Sequence, residues 1–241
     1  MSSARVPPAR SGGRHLLRSR RLAEAIVADA GVTSGDLVVD VGAGSGMLTA
    51  PLLARGARVL AIEPDPVNAK RLRRSCPRAT VVEGDARALR WPDEPFRVVA
   101  NLPFLHAADI CRSLLGDPLV PLVSADLIVE WDFAAKRARL WPSTAQTVLW
   151  NAWYDLSVVR RIEARAFAPV PSVAAGVLRA HRRERPLVRP AEAARYETYV
   201  RRAFRTDQRA RERDPHAWAH AFETSASVRT VRPMERRRRA R

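Results

Sequence analysis

The chain has 241 residues, 46% of them hydrophobic, with 18 prolines and 11 glycines. That fits one full domain plus a small second one and excludes a wholly disordered chain. Two cysteines, Cys76 and Cys111, exclude a disulfide framework, and no Cys/His spacing suggests zinc; no metal and a reducing cytoplasmic compartment are expected. The net charge of +17 is unevenly spread: +6 over residues 1–21, zero over 22–178 and +11 over 179–241. A neutral body with two basic ends points to a polyanionic partner, most simply nucleic acid, although a basic end is also compatible with plain solvation.

Residues 1–13 (MSSARVPPARSGG) have no apolar run, so they read as a flexible basic arm and not as a secretory signal. Apolar positions over 16–30 fall near helical spacing, and Gly31 follows as a stop. Residues 36–41 form a short apolar run ending in glycines, a buried strand. Residues 47–55 are helical, 58–63 a second strand, 68–75 helical, 80–83 a third strand and 96–100 a fourth. A helix over 107–115 and a fifth strand within 120–130 follow. The apolar stretch 119–129 is broken by Pro121, Ser124 and Asp126, too short to span a bilayer, so no membrane partner is expected. Alternating strands and helices predict an α/β, Rossmann-like parallel sheet covered by helices. Residues 150–156, 158–166 and 176–180 read as later strands, one of them antiparallel. From residue 184 the pattern is helical and Arg-rich, with Tyr196, Tyr199, Val200, Ala203 and Phe204 on one helix face. The expected divisions are an arm (1–13), an α/β domain (14–183), a small helical, Arg-rich domain for the polyanionic partner (184–235) and a basic disordered tail (236–241).

Chemistry-bearing residues sit at the strand ends. Asp40-Val-Gly42-Ala-Gly44-Ser-Gly46 follows the first strand, where glycines let the backbone approach a ligand. Its third glycine comes one residue too early for a dinucleotide fingerprint; the pattern is that of S-adenosylmethionine (SAM) loops. Glu63 ends the second strand, where an acid can accept from both ribose hydroxyls. Asp85 follows the third, where an acid can accept from an adenine amino group. Each acid alone could be an ordinary solvated turn residue; the glycine loop, Glu63 and Asp85 at three successive strand ends make a joint case for SAM as cofactor. Asn101-Leu102-Pro103-Phe104 ends the fourth strand and resembles the (D/N)-x-P-(F/Y) motif of methyltransferases that act on an aromatic amino nitrogen. The Asn101 oxygen and the Leu102 carbonyl can accept the two amino hydrogens, Pro103 fixes the turn, and Phe104 offers a flat face to an unstacked base.

These residues resemble those of the rRNA adenine N6-dimethyltransferases, and most of all the erythromycin-resistance (Erm) branch. Phe167-Ala-Pro169-Val-Pro171-Ser-Val173 matches the family's F-x-P-x-P-x-V segment. The block from Val129 to Arg137 is similar to an aromatic-then-basic block of the actinobacterial members. The resemblance, over roughly residues 14–183, implies SAM-dependent mono- or dimethylation of one adenine in 23S rRNA and resistance to macrolides, lincosamides and streptogramin B. It places cofactor contacts on Gly42, Gly44, Glu63, Asp85, Ala86 and Asn101. The family's Gln-Asn/His-Phe-Leu start falls on Arg14-His15-Leu16-Leu17, so His15 and Leu17 join the cofactor set in an altered form. Arg14, Lys136, Arg137, Arg201, Arg202 and Arg205 are candidate RNA contacts, and the protein is expected to act as a monomer on 23S rRNA. The alternatives are a 16S rRNA adenine dimethyltransferase of ribosome biogenesis, a catalytically silent RNA-binding protein, and a small-molecule N-methyltransferase, for which the Arg-rich ends serve no purpose. His106, the tryptophans and the two cysteines read as structural residues.

Overall fold

The computed structural model describes residues 15–88 and 90–230, with side chains to residue 225. The arm 1–13, Arg14 and the tail 236–241 lie outside the described residues. Internal contacts divide the chain into two units. One takes the described residues up to Arg139 together with Tyr154–Glu184; the other takes Leu140–Trp153 and the residues from Arg185 onward. The chain therefore enters the second unit twice, where the sequence pattern suggests a single passage at residue 184.

The first unit begins with a two-residue strand, β1 (Leu16–Leu17), and helix α1 (Arg20–Asp29). The expected helix over 16–30 thus starts later. Ser19 is extended and its side chain accepts from Leu22 N, which sets the helix start and leaves Leu16 and Leu17 in strand conformation. The elements then alternate: β2 (Leu37–Val41), α2 (Thr49–Ala54), β3 (Arg58–Glu63), α3 (Pro66–Ser75), β4 (Thr80–Glu83), β5 (Phe96–Asn101), α4 (Ala107–Leu115), β6 (Leu122–Glu130) and α5 (Trp131–Arg137). The start of α3 is fixed locally, since Asp65 accepts from Val67 N and Asn68 N while Pro66 occupies the first turn. After the excursion into the second unit the chain returns as β7 (Tyr154–Ile162), β8 (Phe167–Ala168) and β9 (Ala175–Arg182).

Seven strands form one sheet in the order β4-β3-β2-β5-β6-β9-β7. The five from β4 to β6 are mutually parallel, and β9 is antiparallel to both β6 and β7. The apolar run of β2 is buried from Val38 to Val41, as a strand covered on both faces requires. Strand order reverses between β2 and β5, which opens a crevice at their carboxyl ends. Separately, β1 pairs antiparallel with β8, Leu16 opposite Ala168 and Leu17 opposite Phe167.

Two expected strands are corrected. Of residues 150–156 only Tyr154–Leu156 are strand, the start of β7: Trp150 belongs to helix α6 (Ala145–Asn151), begun by Thr144, whose hydroxyl oxygen accepts from Thr147 N. Residues 158–166 are not a separate strand, because β7 continues from Tyr154 to Ile162 through a register shift between Val158 and Arg160, and a short 3-10 turn follows at Ala164–Ala166.

The second unit contains α6, α7 (Ala193–Thr206) and α8 (Pro215–Thr230). The expected face of α7 is buried at Tyr196, Val200 and Ala203. Tyr196 packs edge-on to Phe222 at 5.1 Å, and Phe204 stacks on Trp218 at 5.4 Å. Helix α7 stops before Asp207, whose side chain accepts from Arg209 N, so Arg209 lies on the next turn and not on the helix face. Among the described residues no helix is long and apolar enough to cross a membrane.

Candidate active site

A cavity of about 280 Å³ opens at the carboxyl ends of β2, β3 and β5. The glycine loop after β2 forms its floor. Gly42 has φ +72°, and a Cβ there would lie 3.5 Å from the Asn101 carbonyl oxygen; Gly44 has φ +58°, and a Cβ there would meet Leu16 Cδ2 at 3.2 Å. Both positions therefore favour glycine for its backbone conformation.

Glu63, at the end of β3, is 2% exposed and lines the cavity. Its Oε2 accepts from Gly44 N and its Oε1 from Asp65 N, both at 2.9 Å, so two backbone donors from separate loops fix the carboxylate. Asp85 and Ala86 line the next wall. Arg87 holds Asp85 through its backbone and its guanidinium, and these hydrogen bonds pull the Asp85 carboxyl down to about 2.

Asn101, Leu102 and Pro103 close the far end of the cavity. Asn101 Nδ2 donates to the His15 carbonyl at 2.7 Å. That contact settles the amide's orientation, since a carbonyl can only accept. Asn101 Oδ1 is left buried with no hydrogen-bond partner. An orphaned acceptor on a cavity wall is unfavourable unless a ligand donor satisfies it.

His15 is held in turn. Its Nδ1 donates to the Pro169 carbonyl at 2.8 Å, and its ring lies 5.2 Å from Phe104. Phe104 is half buried, edge-on to Phe167 at 6.2 Å, and does not line the cavity itself. The β1–β8 pair thus clasps the chain start over Asn101. Within β1 the side chains alternate, so Leu16 lines the cavity while Leu17 is buried in the core, the reverse of the placement the sequence suggests for Leu17.

The candidate RNA contacts fall in both units. Lys136 is exposed in the last turn of α5; the neighbouring Arg137 is half buried, its guanidinium 4.8 Å above the Phe133 ring, and burial pushes its pKa down. In the second unit Arg202 and Arg205 are exposed on α7, and Arg201 pairs with Glu197 at 2.6 Å. Arg14 lies outside the described residues.

A family model described as ribosomal RNA adenine dimethylase matches residues 9–225. The chain belongs to the ribosomal RNA adenine dimethylase family. Within the family's reach, it is 33% identical over 199 residues to the mycinamicin-resistance protein MyrB of Micromonospora griseorubida, covering 80% of this chain and 63% of that one. It is 36% identical over 188 residues to an rRNA methyltransferase of Streptomyces thermotolerans, covering 74% and 60%. The chain spans about three fifths of the length of the curated relatives it matches. The crystal structure of the 23S rRNA methyltransferase ErmE superposes with a TM-score of 0.75 at 27% identity, over 86% of this chain and 98% of that one.

Among the residues at or beside the cavity that a reading of the sequence misses, four bear on the site's chemistry or its walls. Leu16 and Arg87 line it. Which side of a two-residue strand faces inward has no sequence signal; the Asp-x-Arg spacing at 85–87 is a weak one. His106, which reads as structural, also lines the cavity. Phe167 is buried against Phe104, and its place in the F-x-P-x-P-x-V segment is the only hint.

Proposed function

We propose that this protein is a SAM-dependent methyltransferase that modifies N6 of one adenine in 23S rRNA, and that this modification gives macrolide-lincosamide-streptogramin B resistance. The observation that carries the reading is the buried, unpartnered Oδ1 of Asn101, a residue that lines the cavity and whose amide nitrogen is bonded to the His15 carbonyl. The named relatives support the RNA target and the resistance.

The residues fit SAM. Gly42 and Gly44 leave the floor open, Glu63 is placed for ribose hydroxyls, and Asp85 with Ala86 forms the seat for adenine. When bound there, SAM supplies a methyl group on a positively charged sulfur. The protein's task is to present the nucleophile. An adenine amino nitrogen is a weak one because its lone pair is delocalised into the ring. Asn101 Oδ1 accepts one amino hydrogen and the Leu102 carbonyl the other, which favours a localised lone pair aimed at the methyl carbon. Pro103 holds that carbonyl in place, with its φ fixed by the ring. His15 lines the cavity, and Phe104 beside it, half buried and backed by the buried Phe167, offers the flat face for a base taken out of its stack. Positioning supplies most of the rate.

The test compares the wild-type protein with Asn101→Ala. SAM affinity, read by calorimetry, is expected to stay within a few-fold, while methyl transfer to protein-free 23S rRNA falls about 100-fold or more, the usual effect of losing one such hydrogen-bonding group. Unchanged turnover would remove Asn101 from the chemistry.

A further inference from the structure

The pairing of β1 with β8 brings two arginines from distant parts of the chain to one end of this clasp. Arg18 follows β1, and its backbone N donates to the Ala166 carbonyl at 2.9 Å. Arg165 stands in the 3-10 turn Ala164–Ala166 that leads into β8. Both side chains are exposed, and among the described residues neither makes an ion pair or a side-chain hydrogen bond. Residues 15–23 and 164–173 contain no Asp or Glu. The acids that flank them in sequence, Glu24 and Glu163, are engaged by Arg20 at 2.9 Å and by Arg161 at 3.5 Å. Two guanidiniums gathered by one strand pair, with no carboxylate bonded to either, make a site for an anion.

The place of this pair points to the anion. The clasp lies over Asn101, whose Nδ2 donates to the His15 carbonyl, and both His15 and Leu16 line the cavity. The chain stays extended at Ser19. Alternate side chains of an extended segment share a face, so Leu17 is buried in the core while Arg18 leaves on the side of Leu16. Arg18 is three residues beyond His15, about 10 Å along an extended chain. An adenine that reaches Asn101 is the part of its nucleotide that enters the cavity; its sugar and phosphates stay at the mouth, beside the clasp. The opposite side of that mouth offers no cation, since residues 101–111 contain no Lys or Arg. Arg97, earlier on β5, is bonded to Asp36 and Ser124, and Arg87 in the cavity is held by Asp85. We propose that Arg18 and Arg165 bind the RNA phosphates next to the target adenine and hold the backbone while the base enters. The inference rests on the proposed RNA target. A guanidinium fits a phosphate through two parallel hydrogen bonds, and such contacts position RNA without reading its sequence.

The test measures steady-state methyl transfer by the full chain to protein-free 23S rRNA at several salt concentrations, with S-adenosylhomocysteine affinity read separately by calorimetry. Arg18→Ala and Arg165→Ala should each raise KM for RNA about three- to tenfold. In both, kcat and S-adenosylhomocysteine affinity should stay within about twofold of the wild type. The log–log salt dependence of kcat/KM should become shallower by about 0.7 for each variant, one phosphate contact, and by about twice that for the pair. Arg18→Lys should keep most of the slope. Arg20→Ala removes an exposed charge two residues away that is already paired with Glu24, and it should leave KM and slope unchanged. An equal loss of slope in Arg20→Ala would overturn the proposal, because the effect would then belong to net charge and not to a site. A fall in S-adenosylhomocysteine affinity that matches the rise in KM would also overturn it and leave the arginines as supports of the clasp. Unchanged KM and slope in both single variants, with the wild type methylating 23S rRNA, would remove this inference alone. A wild type that transfers no methyl group to RNA would remove the functional reading, and this inference with it.

Discussion

Asp40 is buried at the foot of the glycine loop, where its Oδ2 accepts from Thr49 Oγ1 at 2.7 Å. Loss of water pushes its carboxyl up to about 7, the Thr49 hydroxyl opposes that rise, and the charge of Glu63 adds to it. The folded protein therefore holds this proton more tightly than the unfolded chain does. The stability contribution is full below about pH 4 and is lost as pH rises through about 7. Asp40→Asn keeps an acceptor for Thr49 and removes the titration. Its melting temperature, followed by calorimetry from pH 4 to 8, should lose the part of the decline that belongs to Asp40; a profile parallel to the wild type would contradict this. At this scale the sequence is informative about identity and silent about orientation. Gly42, Gly44, Glu63, Asp85 and Asn101 are legible as cavity residues because Glu63 and Asn101 end β3 and β5 and the other three follow β2 and β4 closely. The direction of the Asn101 amide is not, since it depends on a carbonyl 86 positions away. Nor is the engagement of Asp85 by Arg87, which depends on rotamers around one turn.

At the level of elements, the middle of the sheet is held by a cross-strand ion pair. Asp126 on β6 stands opposite Arg179 on β9, and its Oδ1 accepts from Arg179 Nε at 2.8 Å and Nη2 at 2.6 Å. Arg179 also donates to the Asp29 carbonyl at the end of α1, tying that helix to the sheet. Burial pushes the Asp126 carboxyl up, while Arg179 and then Arg97 act against it. Arg179→Ala leaves the carboxylate buried without its main partner and should cost about 3–5 kcal/mol in urea unfolding. Replacing both residues by leucine should recover most of that loss. A cost below about 1 kcal/mol for the single variant would mean that water or Arg97 compensates. The parallel strands were legible because β2, β3 and β5 are apolar runs closed by glycine, acid or asparagine. The region 145–162 was not, because a Trp-rich apolar run satisfies helix and strand periodicity alike. Thr144 was the local signal that decides it. The β1–β8 pair is two residues long on each side, below the length at which alternation carries information.

For the whole molecule, the uneven charge and the family both support the rRNA partner proposed above. The net +17 resides at the two ends of the chain, and the ribosomal RNA adenine dimethylase match spans residues 9–225. The helical unit could be recognised as helical from the spacing on α7, but its composition from two separate stretches of chain could not, because nothing local marks Leu140–Trp153 as belonging with the residues after Arg185. Composition narrows the partner to a polyanion; the motifs narrow the chemistry to an amino nitrogen; the choice of 23S over 16S rRNA rests on the relatives. The most direct measurement incubates the purified protein with labelled SAM and protein-free 23S or 16S rRNA, then maps the modified nucleotide by primer extension and mass spectrometry. The account predicts N6-methyladenine or N6,N6-dimethyladenine at a single adenine of 23S rRNA, at the macrolide site. Methylation confined to 16S rRNA, or SAM binding with no transfer to either RNA, would contradict it.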